Sequence, residues 1–440
     1  MNRFTNDIPA NLDILGSRLT FNSGKIAANR FLKAALTERL SSYEPSNPTS
    51  HGIPSDKLIN LYEKWGNGQY GMILTGNVIV DRTNLEFAKN AIIFKEGECE
   101  KRREMFKKWA KVTKQDDALA IVQLSHAGRQ TPIAVERNPY SASDVQLVTD
   151  TPTPAYGKPR ALTIQQIKSE VIDRFAYAAK FAYETGFDGV QLHAAHGYLL
   201  SQFTSPTTNK RNDHYGGSLE NRIRIILEIY DAIRAQVPKD FIVGIKSNSV
   251  EFQSGGLTVE DAKEICRKYE KKGFDFVELS GGTYEKLAFH HTRESTKRRE
   301  AFFLEFAETI RPVFKNTIVY LTGGFRSANA MVEAIESDAT QGIGLGRPIT
   351  SEPDLPKKIL SRQVASAPIS LLDQSDTWLT VLGSVSQMEQ MSRKSLKEAD
   401  NNVMSEISDF SDPSTIERYL EAVKKFREKG TPSNDMLLFD

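Results

Sequence analysis

Gly189-Val-Gln-Leu-His193-Ala-Ala-His196-Gly-Tyr198 reads as a short β-strand that runs out into a loop carrying two imidazoles and a phenol. It is one of eight short apolar runs bounded by glycine or polar residues. The others are Arg30–Thr37, Gly71–Val80, Leu119–Leu124, Phe241–Lys246, Phe276–Leu279, Ile318–Leu321 and Gly342–Leu345. Their hydrophobicity is nearly continuous rather than alternating, the pattern of strands buried on both faces.

Helical segments separate these runs. Thr163-Ile-Gln-Gln166 is a capping box that opens a helix towards Thr185-Gly186. Ser218 caps a helix through Arg222, Ile226 and Tyr230. Thr258-Val-Glu-Asp261 opens another, with Gly273 placed to end it. The segments Pro54–Tyr70, Gly97–Lys114, Arg299–Phe314, Ala328–Ser337 and Pro353–Leu360 complete the alternation. Repeated strand–helix units predict an α/β chain folded as a (β/α)8 TIM barrel. A doubly wound sheet would carry Gly-x-Gly-x-x-Gly after its first strand, and none is there. Gly342-Ile-Gly-Leu-Gly-Arg347 has the wrong spacing and is followed by Pro348.

Residues 11–25, with Leu19-Thr-Phe-Asn-Ser-Gly-Lys-Ile, predict an N-terminal hairpin that plugs the barrel bottom. Residues 1–365 are assigned to the barrel and 366–440 to a C-terminal extension, polar and irregular, with one helical stretch at Ile416–Lys429 and no core of its own.

Composition narrows the function. Lysine plus arginine number 57 and aspartate plus glutamate 56, a net charge of +1, so no basic field for nucleic acid or anionic lipid is available. The run Lys297-Arg298-Arg299 reads as a solvated face. Two cysteines, Cys99 and Cys266, exclude a disulfide framework and a cysteine-ligated iron–sulfur cluster. No secretory signal or membrane span is expected, which makes the expected location cytoplasmic.

Reactive groups in such barrels gather at the C-terminal ends of the strands. There the chain places Thr37, Gly76, Asn77, Gln123, His193, His196, Lys246, Gly323, Gly324, Gly346 and Arg347. Glycines after the seventh and eighth strands let backbone N–H groups approach an anion, and Arg347 can grip it bidentately. Gln123 can donate to and accept from a pyrimidine edge. Lys246 can stabilise negative charge on a reduced ring. A metal at His193 and His196 would need a third ligand, and His51, His126, His214, His290 and His291 supply no evident triad. The pair reads instead as a donor set for a carbonyl or anionic oxygen. Tyr198, a phenol of ordinary pKa about 10, can act as an acid beside it.

With these residues assembled, the chain resembles the Old Yellow Enzyme family of FMN-dependent ene-reductases from about Leu19 to Leu360. The sharpest blocks are His193–Phe203, continued by Ser205–Arg222, and Gln123-Leu-Ser-His-Ala-Gly-Arg129. Leu321-Thr-Gly-Gly-Phe and Gly344-Leu-Gly-Arg-Pro support them. The resemblance implies FMN in the barrel mouth, with Thr37 near the flavin O4/N5 edge and Gln123 on the pyrimidine. Gly324, Gly346 and Arg347 would hold the phosphate. His193 and His196 would hold a substrate oxygen and Tyr198 would protonate the substrate. The family usually has arginine where this chain has Lys246, which keeps the charge and loses the planar fork. It often has asparagine where this chain has His196.

The implied activity is reduction of the C=C bond of a small enone or enal, with NADH or NADPH as reductant. Neither reductant is singled out, because no ribose-reading residue is identifiable. The loop Gly281–Arg299 and the tail match the family pattern poorly, which leaves substrate and oligomeric state open. Three other readings stand: a flavin-binding sensor or interaction protein with little turnover, a dienoyl-thioester reductase-like enzyme lacking the iron–sulfur cluster, and a metal-dependent hydrolase.

Overall fold

The computed structural model describes residues 1–4, 6–149, 155–248, 255–281, 304–428 and 437–439. The apolar runs form parallel strands: β1 (Phe31–Lys33), β2 (Met72–Ile79), β3 (Leu119–Ser125), β4 (Gly189–Ala194), β5 (Ile242–Asn248), β6 (Phe276–Ser280), β7 (Ile318–Thr322) and β8 (Gly342–Leu345). Each pairs with the next, and β8 returns to β1 with Ile343 opposite Phe31, which closes the barrel. Nearly every strand residue is buried, because helices cover the outside and side chains fill the inside.

The covering helices are α1 (Asp56–Gly66), α2 (Glu100–Thr113), α3 (Asp173–Glu184), α4 (Leu219–Arg234), α5 (Val259–Lys272), α6 (Leu304–Ile310), α7 (Ala328–Glu336) and α8 (Leu355–Leu360). The capping box at Thr163 forms, and a π-helical stretch, Ile167–Ile172, separates it from α3. Thr258 makes a second capping box, and Gly273 ends α5 at φ 91°, where a β-carbon would be strained. The Arg299–Phe314 helix is described from Leu304. The Lys297–Arg299 run, and the loop Gly281–Arg299 beyond Gly281 itself, lie outside the described residues.

The barrel interior is built in two layers. At the N-terminal end a hairpin, Leu19–Thr20 against Ile26–Ala27, brings Phe21 into an apolar cluster with Leu32, Met72, Ile121, Ile242, Phe276 and Tyr320. Phe21 meets Phe276 edge-on at 6.2 Å between ring centres. Above it the interior turns polar. Gln123 donates to Gln191 (2.7 Å), Gln191 donates to Glu278 (2.8 Å), and Lys246 pairs with Glu278 (2.9 Å). Glu278 is 0% exposed. Deleting one partner of such a pair costs about 3–5 kcal/mol, so this layer is fixed in place.

The tail departs from its expectation. It contains two helices, α9 (Thr377–Ser392) and α10 (Pro413–Glu428), rather than one. It also has a small core, in which Leu372, Leu379, Phe410, Tyr419, Val423 and Phe439 meet. Helix α9 is tied to the barrel. Lys64 donates to the Met391 carbonyl (2.6 Å), Asn60 to the Ser392 carbonyl (3.1 Å), and Thr350 to Gln387 (2.7 Å). No helix among the described residues is long and apolar enough to cross a membrane.

Candidate active site

A cavity of about 380 Å³ opens at the C-terminal ends of the strands. Eleven of the twelve residues singled out from the sequence line it: Thr37, Asn77, Gln123, His193, His196, Tyr198, Lys246, Gly323, Gly324, Gly346 and Arg347. Gly76 does not. Pairing between β2 and β3 jumps from Leu74–Ile121 to Asn77–Gln123, and Gly76 sits in that irregularity. The irregularity brings Asn77 level with Gln123 on the cavity wall. The Gly76 N–H donates to Glu38 (2.7 Å) and Tyr62 (3.0 Å), away from the cavity. A β-carbon there would lie 2.1 Å from the Leu36 carbonyl oxygen, so close packing requires the glycine.

His193 ends β4, and its Nε2 stands 3.4 Å from His196 Nδ1 with the rings perpendicular. His196 has φ 57°, a left-handed conformation that costs about 1–2 kcal/mol for a side-chain-bearing residue. Asn248 holds it there by accepting the His196 backbone N–H at 3.1 Å. His196 Nε2 faces Ser280 Oγ at 2.8 Å. Burial lowers the pKa of both imidazoles well below the usual value. The other imidazole and then Lys246 add to this for His193, and Lys246 adds to it for His196. Both rings are neutral in this state. Tyr198 packs its ring against His193, 4.4 Å between centres.

Glu86, which carries no motif in the sequence, lies at the centre of this wall. Its carboxylate accepts from the Tyr198 phenol (2.6 Å), from the Thr37 hydroxyl (2.9 Å) and from Asn77 Nδ2 (2.6 Å). Thr37 therefore reaches the cavity with its hydroxyl proton already directed at Glu86.

The opposite end suits an anion. Gly323 (φ 131°) and Gly324 (φ 95°) turn the chain after β7 in a way side chains resist. At Gly344 a β-carbon would lie 1.8 Å from Thr322 Oγ1. Arg347 is largely buried, burial lowers its pKa, and no carboxylate among the described residues lies within ion-pair distance of it. A desolvated guanidinium without a counter-ion calls for an anionic ligand. Between the two ends, Gln123 keeps its Oε1 without a protein partner among the described residues, and Lys246 supplies a cation. Phosphate grip, amide edge and cation together fit a flavin mononucleotide.

Helix α9 completes the wall. Thr377, Trp378, Val381, Ser384, Val385 and Met388 fall on one helical face and line the cavity. None was marked as a site residue by its sequence.

A barrel with this mouth is that of a flavin oxidoreductase. The model of the NADH:flavin oxidoreductase / NADH oxidase family matches residues 19–365, and the chain belongs to that family, that of Old Yellow Enzyme. FMN and NAD(P)H are its cofactors. Among curated relatives, the NADH-dependent flavin oxidoreductase nadA of Aspergillus parasiticus is 44% identical over 387 residues, covering 86% of each chain. The NADH-dependent flavin oxidoreductase iliE of Hypocrea jecorina is 34% identical, over 78% of this chain and 88% of that one. The Old Yellow Enzyme homologue of Zymomonas mobilis shares the fold with a TM-score of 0.65 at 23% identity, covering 81% of this chain and 94% of that one. A 2-naphthoyl-CoA reductase complex gives 0.73 at 20% identity, over 93% of this chain and 58% of that one.

Proposed function

We propose that this flavin oxidoreductase reduces the C=C bond of small α,β-unsaturated carbonyl compounds. Bound FMN supplies a two-electron relay from NAD(P)H to the β-carbon of the alkene. Gln123, Lys246, Gly324, Gly346 and Arg347 would hold it. The chain's own contribution is to hold the substrate oxygen and to deliver a proton. His196 Nδ1–H donates to the oxygen. His193 Nε2 becomes a second donor when that ring takes up a proton from solvent, which negative charge growing on the oxygen favours. Both bonds strengthen as the carbonyl becomes an enolate, so they lower the barrier rather than merely bind. Tyr198 would then turn its O–H from Glu86, which accepts it at rest, and give that proton to the α-carbon.

One observation carries this reading. Two imidazoles 3.4 Å apart and a phenol whose ring lies 4.4 Å from one of them, tilted by 50°, share a single wall of the cavity. The test is anaerobic. NADH or NADPH is added to the FMN-loaded protein until the flavin absorbance bleaches, and cyclohexenone follows. The absorbance is expected to return with saturated cyclohexanone as product. A flavin that stays bleached with cyclohexenone and recovers only in air would refute the proposal.

A further inference from the structure

We propose that Glu86 assigns the protons of this site, and that through Asn77 it holds His193 as the Nδ1–H tautomer. An ionised carboxylate only accepts hydrogen bonds, so each group that meets it must give a proton. Tyr198 and Thr37 do so with their hydroxyls, and Asn77 does so with Nδ2 at 2.6 Å. Asn77 Nδ2 is also 3.5 Å from the Tyr198 oxygen. Both neighbours therefore demand the amide's NH2 end on that side. A reversed amide would set its carbonyl oxygen against a carboxylate oxygen, two acceptors with no proton between them.

The orientation that remains points Asn77 Oδ1 at His193 Nδ1, 2.7 Å away. A carbonyl oxygen takes protons and gives none, so Nδ1 carries the hydrogen. A neutral imidazole has one such hydrogen, and Nε2 is left with its lone pair towards His196 and the cavity. Neutral His193 thus offers an acceptor where an acceptor-binding site would want a donor. An oxygen that brings its own proton, as an enol or an acid does, meets it directly. A bare carbonyl is gripped from His193 only after that ring takes up a proton. Glu86 is a positioning residue here, acting two hydrogen bonds away. Its meaning for turnover rests on the ene-reductase reading, whereas the tautomer does not.

The test is long-range ¹H–¹⁵N NMR on FMN-loaded protein labelled at histidine, with the His193 signal identified by its loss in His193→Gln. The wild-type protein is expected to show the Nδ1–H form over the Nε2–H form by more than about 10:1, a ratio set by the cost of one unsatisfied polar contact. Glu86→Gln keeps the shape but can present either amide end to Asn77, and the ratio is expected to fall to about 1:1. Near-ultraviolet circular dichroism marks which variants fold. Asn77→Leu cuts the same relay at its middle and serves where Glu86 does not tolerate change. A wild-type His193 protonated at Nε2 would overturn the proposal, as would an unchanged ratio in the folded variants. A protein showing the stated tautomers yet reducing no activated alkene would end the ene-reductase reading and leave this one standing.

Discussion

Arg347 donates through Nη1 to Thr380 Oγ1 over 2.9 Å, linking the loop after the last barrel strand to a helix of the tail. Thr380 gives its own hydroxyl proton to the Thr377 carbonyl at 3.0 Å, so a lone pair is what the guanidinium meets. The tail thereby aims the residue assigned to the cofactor phosphate. Thr380→Val is expected to weaken FMN binding about 3- to 10-fold, the worth of one ordinary net hydrogen bond. Riboflavin, which has no phosphate, should bind unchanged, and Thr380→Ser should bind FMN as the wild type does. Flavin fluorescence titrations decide it. Equal losses for both flavins would show a general loosening instead.

Tyr198→Phe removes the proton source and keeps the ring against His193. General acid catalysis is worth about 10²–10⁴ in rate. Stopped-flow traces should show reoxidation by cyclohexenone slowed by that order, while bleaching by NADH stays within about twofold of wild type. Similar slowing of both phases would remove Tyr198 from the acid role.

His196→Ala takes away the neutral donor and frees Ser280 from its contact with the ring, while the backbone N–H bond to Asn248 is kept. Loss of one such donor costs about 10²–10³ in turnover. The visible spectrum of the bound flavin should persist, and kcat/KM for cyclohexenone should fall by that factor. A loss of less than about tenfold would assign the oxygen to other groups.

His126 lies behind the site, 1% exposed, with Nδ1 accepting the Gly128 N–H and Nε2 lacking a hydrogen-bond partner among the described residues. Burial pulls its pKa down to about 4, and the nearby Asp81 only partly offsets that. The unfolded chain binds this proton first, near the ordinary value of about 6.5. Stability is therefore full above about pH 6.5 and is lost as pH falls towards 4, by about 3 kcal/mol from this residue. Urea midpoints at pH 7.5, 5.5 and 4.5 should fall more steeply for wild type than for His126→Asn, which keeps the acceptor and cannot titrate. Matching slopes would exclude His126 as the source.

The barrel was readable because strands covered on both faces cannot hide their apolar character. The helix signals at Thr163, Ser218 and Thr258 were equally local and formed as written. Helix α9 was not readable, for a physical reason. It is buried around much of its circumference, with Gly383, Ser384, Ser386 and Ser392 packed inside. It therefore has no polar stripe to set a period, and glycine and serine are weak helix formers. Glu86 escaped because an irregular connection places it. No spacing rule ties position 86 to Thr37, Asn77 and Tyr198, which come from the ends of other strands. The packing around Gly76 was not readable either, since a glycine at a strand end reads the same whether it faces a ligand or a neighbouring chain segment.

The hairpin that drives Phe21 into the floor has a kinetic meaning. With that end stoppered, the electron donor and the electron acceptor of the proposed reaction would both enter by the cavity at the other end and meet the same ring system. Two planar guests cannot lie there together, so each must depart before the other arrives. Reciprocal plots at several fixed acceptor concentrations should then run parallel, and each reactant in excess should compete against its counterpart.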